Sequence, residues 1–72
     1  MTEPTETQIK VYDFIANRIQ TGMPPTLREI SAEFGWSTHA AAAHHLLAME
    51  KKGMIKRKTY LARAIQAVWT HE

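Results

Sequence analysis

Two adjacent prolines, Pro24 and Pro25, constrain this chain more than any other feature. Proline lacks a backbone N–H and fixes φ, and it pushes the preceding residue out of helical dihedrals, so no helix runs through Gly22-Met23-Pro24-Pro25. The segments on either side must be separate elements joined by a stiff corner. Upstream, Thr5 followed by Gln8 fits a capping box, and Ile9, Tyr12, Ile15, Ala16 and Ile19 recur at helical spacing before Gly22 stops the run. A first helix is expected over about 6–20. Downstream, Thr26 and Glu29 repeat the capping box, and Leu27, Ile30 and Phe34 share one face of a segment that Gly35 ends. This second helix, 27–34, is too short to persist alone in water and must pack on its neighbours.

Trp36-Ser37-Thr38 is a tight link with two N-cap candidates, and His39 to Lys52 forms an uninterrupted helical run ended by Gly53. Within this third helix, 39–52, Ala42, Met49 and either His45 or Leu46 face a core. Ala40, Ala41, Ala43, His44 and Leu47 fall largely on other faces. The four consecutive alanines favour helix and leave a surface with little bulk, open to close approach by another body. After Gly53, Met54-Ile55-Lys56-Arg57 and Ala64-Ile65-Gln66-Ala67-Val68-Trp69 suit a two-stranded hairpin over about 54–69, although the second arm also contains good helix formers. Trp69 either closes the core beneath the hairpin or stays exposed as a contact patch. The fold class expected is mainly α with a small β-hairpin, a three-helix winged helix-turn-helix.

The chain of 72 residues has room for one domain and one small core. It contains no cysteine, which removes disulfides, thiolate zinc sites and cysteine nucleophiles. The acidic, polar start Met1-Thr2-Glu3-Pro4 offers neither a signal peptide nor a membrane span, so a cytoplasmic location without membrane contact is expected. Charge is unevenly spread. Residues 1–34 carry three basic and five acidic side chains, net −2, whereas residues 35–72 carry six basic and two acidic, net +4, together with all four histidines. A basic half of this kind suits a polyanionic partner. The spacings of His39, His44 and His45 do not place two on one helical face with a carboxylate, so no metal is expected, and no other cofactor. Ser31 and Ser37 lack partners for nucleophilic catalysis, and the chain is too small to enclose a pocket, so no enzymatic activity is expected.

Several ordered landmarks then carry a resemblance. They are Gln20-Thr21-Gly22-Met23-Pro24-Pro25-Thr26, Glu29-Ile30, Phe34-Gly35-Trp36, Ala41-Ala42, His45-Leu46, Ala48-Met49, Lys52-Gly53-Met54-Ile55 and Arg63-Ala64-Ile65. The sequence resembles the N-terminal DNA-binding domains of the LexA repressor family over nearly its whole length. The resemblance implies that the third helix enters the major groove of double-stranded DNA and that the wing grips phosphates. It matches Thr38 to the family's serine before the recognition helix, Ala41 to an alanine against a base, and Lys52 to a phosphate-contacting lysine. Three positions depart from the family. Ala40 replaces a base-reading asparagine, and Ala43 and His44 replace two glutamates, so a different operator is expected. Alanine methyls can contact thymine methyls, and Thr38, His39 and His44 can hydrogen-bond base edges or phosphates. With Lys56, Arg57, Lys58 and Arg63 on the wing, and Lys51 extending that surface, the candidate contact set is completed by Thr26, Arg28 and Ser37 at the corner. The family's second domain dimerises and cleaves itself; ending at Glu72, this chain is expected to act without that protease. Useful specificity calls for two copies on paired half-sites, so a weak homodimer is expected, formed on DNA or through the C-terminal strand. The alternative is a protein-interaction module, an accessory factor or antirepressor, using the apolar stripe of Ala40, Ala41 and Ala43 beside Leu47.

Overall fold

The computed structural model describes residues 4–58 and 65–69. Three helices, α1 (Glu6–Thr21), α2 (Leu27–Phe34) and α3 (His39–Lys51), precede two short strands, β1 (Ile55–Arg57) and β2 (Ile65–Ala67), and the whole is a winged helix-turn-helix. Both capping boxes form in full: Thr5 and Thr26 accept through their hydroxyls from the amides of Gln8 and Glu29, whose side chains accept in return from the cap amides. Helix α1 runs one residue beyond the expected Gln20, and α3 gives up Lys52 to the turn that follows.

The core is a single cluster in which Val11, Ile15, Ile30, Ala42, Leu46, Met49 and Met54 are fully buried. On α1 the buried line is Gln8, Val11, Tyr12 and Ile15, so the stripe expected from Ile9 to Ile19 is rotated. Ile9 and Ile19 are half-buried, and Val11 takes the central place. The buried edge, 8–11–12–15, begins with the polar Gln8, which disguised its direction in the sequence. On α3 the choice between His45 and Leu46 falls to Leu46. His45 is half-buried, and its ring stacks on Trp36 at 4.6 Å between centroids.

Two glycines turn the chain where it must change direction. Gly35 (φ +70°) and Gly53 (φ +77°) take the left-handed conformation that disfavours a side chain. At each, the amide of the following residue reaches back over the last helical turn, Trp36 to the carbonyl of Ser31 at 2.9 Å and Met54 to that of Met49 at 3.0 Å. The second arm of the hairpin is a strand. It pairs antiparallel with the first in the register Ile55↔Ala67, Lys56↔Gln66 and Arg57↔Ile65. Ile55 and Ile65 point into the core while Lys56 and Gln66 share the outer face. The carbonyl of Met54 then accepts from the amides of Val68 and Trp69. Trp69 closes the core: its ring stands edge-on to Tyr12 at 5.1 Å, and the Tyr12 hydroxyl donates to the Trp69 carbonyl at 2.7 Å.

Candidate nucleic-acid interface

The corner between α2 and α3 is built before anything is presented on it. Ser31, 5% exposed, donates its hydroxyl to the carbonyl of Thr38 at 3.1 Å and so pins the start of α3 to α2. Phe34 and Trp36 stack at 5.2 Å, and Trp36 carries His45 on its other side, so the aromatic rings fix the corner angle. Buried on one side by Ala42, Leu46 and Met49, α3 turns the opposite side outward. Ala40, His44, Leu47 and Lys51, spaced by four, three and four, lie along that outer line and are all exposed. Ala41 and Ala43 flank it, half-buried.

The start of α3 is also open. Thr38 is its N-cap, yet makes no side-chain capping bond, and no acidic residue follows in the first turn. Thr38, Ser37 and His39 meet Arg28 of α2 around a shallow cleft of about 430 Å³ whose floor is Ser31 and Trp36. Four of the sequence-predicted contacts are thereby brought together. Arg28, Ser37, Thr38 and His39 are exposed; Thr26 is half-buried and its hydroxyl is occupied by the cap.

The basic residues divide into two groups. Lys51, Lys56 and Lys58 are exposed. Arg57 turns inward: its side chain is 13% exposed, and its Nε lies 3.3 Å from Oε1 of Glu50 on α3. Both atoms are sealed from solvent without hydrogen-bond alignment, so this is an ion pair that ties the wing to the third helix. Lys52 is half-buried and donates from Nζ to Oε1 of Gln8 at 2.7 Å. Arg63 lies outside the described residues. Gln8 and Glu50 are not among the sequence-predicted contacts, since Gln8 acts through a partner 44 positions away and Glu50 through the strand that follows its helix; Leu47, expected beside the apolar stripe of the alternative reading, lies on the outer line. Among the described residues no cluster of histidine and carboxylate side chains is placed to hold a metal ion, and no helix is long and apolar enough to cross a membrane.

A short α2, a pinned corner, an outward-facing α3 and a basic hairpin define a winged helix-turn-helix with its third helix presented for contact. Comparison with known proteins agrees on the particular family. The LexA DNA binding domain model matches residues 1–64, and the chain belongs to that family. It is 45% identical over 67 residues to the LexA repressor of Ralstonia pickettii, covering 92% of this chain and 31% of that protein. It is 42% identical over 72 residues to the LexA repressor of Cupriavidus necator, covering 99% and 33%. With the LexA repressor of Staphylococcus haemolyticus it shares 41% over 69 residues, covering 94% and 33%. The chain thus spans about a third of the length of these relatives. The matched family model is that of a DNA-binding domain.

Proposed function

We propose that this protein binds double-stranded DNA sequence-specifically and represses transcription by occupying an operator, with α3 in the major groove and the wing against phosphates. The observation that carries the reading is the outward line of α3, Ala40, His44, Leu47 and Lys51, on a helix whose inner side is wholly buried. A major groove about 12 Å wide accepts a helix of about 10–12 Å diameter. Short side chains at 40 and 43 let the helix axis come close to the base edges. Ala40 and Leu47 on that line, with Ala41 and Ala43 beside it, suit thymine methyl groups, and His44 adds one hydrogen-bonding group. Lys51, Lys56 and Lys58 supply sequence-independent attraction to phosphate from the rim. Arg57, paired with Glu50, holds the wing at its angle to α3. Two copies on half-sites about 34–36 Å apart would give the specificity that one small module lacks.

Leu47, 48% exposed in the middle of this line, favours a second reading in which the same face docks on a protein. Selection of duplexes from a random pool at near-physiological salt separates the two. An enriched motif supports operator binding, and its symmetry gives the number of copies. Binding without enrichment that vanishes as salt rises would overturn it in favour of the protein partner.

A further inference from the structure

Among the described residues, strand β2 pairs on one side only. The Val68 amide donates to the Met54 carbonyl at 3.0 Å, so by the alternation of an antiparallel ladder Gln66 turns its N–H and C=O toward Lys56, and Ile65 and Ala67 turn theirs away from β1. Among the described residues none bonds to those outward groups. They run along a groove of about 680 Å³ between β2 and α1, whose walls include Ala16, Ile19, Gln20 and Val68. Ala16 and Ile19, apolar positions expected in the core, are only half-buried, and Val68 is exposed. An unpaired edge beside an apolar groove is a template for another strand.

Two observations select a second copy of the chain as that strand. None of the groove's lining residues is charged, although charged side chains make up 22% of the chain. Identical molecules related by a two-fold axis bring like charges together unless the shared patch is neutral. The edge is also complementary to itself. With the axis through Gln66, Ile65 of each copy lies opposite Ala67 of the other, and these are the residues whose backbone groups point outward, so each such pair exchanges both of its N–H···O=C bonds. Pairing there leaves the outer line of α3 uncovered, because α3 packs on β1, β1 pairs with β2, and the groove lies beyond β2 against α1.

We propose that the chain forms a two-fold dimer by antiparallel pairing of β2 with β2 of a second copy, centred on Gln66. The inference goes beyond the DNA-binding reading and stands without it. It is tested by sedimentation equilibrium of the protein over rising concentration, with thermal unfolding of each variant measured alongside. The parent should pass reversibly from monomer to dimer with a Kd on the order of 100 μM, since so short an edge buries less than the roughly 1,200 Å² of stable complexes. Ala67→Pro removes an outward amide without touching the ladder to β1, and should weaken dimerisation by about tenfold or more at an unchanged unfolding temperature. If proline disturbs the strand itself, substitutions at the exposed Gln66 decide the matter. Gln66→Lys sets two ammonium groups across the axis, beside Lys56 on the same face, and should leave the protein monomeric. Mixed with Gln66→Glu copies, the same variant should enter mixed dimers, counted by native mass spectrometry. A strand from any other protein would give no such rescue. A Gln66→Lys variant that dimerises like the parent, or one that forms no mixed dimers, overturns the proposal. So does a parent that stays monomeric at every concentration, which leaves the edge to a strand of a different protein.

Discussion

Helices α2 and α3 both begin with threonine, and the two ends are built to opposite purposes. At Thr26 the hydroxyl accepts from the Glu29 amide, and Glu29 Oε1 accepts from the Thr26 amide at 2.9 Å while also meeting Arg18 at 3.3 Å. The hydroxyl and amide of Thr26 and the carboxylate and amide of Glu29 all have partners inside the protein. At Thr38 the backbone is more extended (φ −138°), the residue three positions on is Ala41, and no capping bond forms. What holds Thr38 is its carbonyl, gripped from behind by Ser31. The two differ in what answers the threonine: Glu29 returns a bond and completes a box, whereas Ala41 has no side chain to return one. The same residue type closes the start of α2 with a box and leaves the start of α3 without one.

The sharpest break in this contrast lies between neighbours. Leu46 is fully buried and Leu47 is 48% exposed. Leu46→Ala is expected to cost about 2–5 kcal/mol, most of what a fold this small holds, and chemical denaturation should find it largely unfolded. Leu47→Ala should change stability by less than about 0.5 kcal/mol and affect only binding. The wing provides the next contrast. Arg57→Ala strands the Glu50 carboxylate and should cost about 1–3 kcal/mol in a denaturant titration. Lys56→Ala should leave the midpoint unmoved and instead lower the salt slope of duplex binding by about one unit. At the helix ends, Thr26→Ala should cost about 1 kcal/mol, against no more than about 0.5 kcal/mol for Thr38→Ala. Equal costs at the two threonines would show that the third helix is capped in solution after all. A change in the DNA itself tests the apolar outer face of α3. Replacing a single contacted thymine by uracil removes one methyl and should weaken binding about fourfold, the value of one buried carbon group. No change at any thymine of the selected motif would exclude methyl readout.

The path of the chain could be read from residues acting locally. Pro24 and Pro25, the paired Thr5/Gln8 and Thr26/Glu29, and Gly35 and Gly53 each dictate a start, stop or corner within three or four positions, and all of them do so in the fold. What escaped the sequence acts over longer separations. The bond of Lys52 to Gln8 joins residues 44 positions apart, and that of Tyr12 to Trp69 joins residues 57 apart. Such pairings depend on how three helices converge, and no periodicity records them. Lys56, Arg57 and Lys58 read alike as a charge run, yet the pleat of a three-residue strand turns the middle one inward to Glu50 and its neighbours outward. His45 read as an alternative to Leu46 for the core. Its flat ring found a better place against the indole of Trp36.

The seating of Trp69 has a practical consequence for watching this molecule move. The two tryptophans occupy different neighbourhoods, Trp36 between Phe34 and His45 at the corner and Trp69 against Tyr12 where the hairpin returns to α1. They are independent optical probes already built into the chain. In a Trp36→Phe background the remaining fluorescence follows the hairpin lifting from the first helix; in a Trp69→Phe background it follows the helical corner. If the two signals part company under mild denaturant, the wing opens as a unit of its own while the helices stay folded, and if they move together, the smallest cooperative unit is the whole domain.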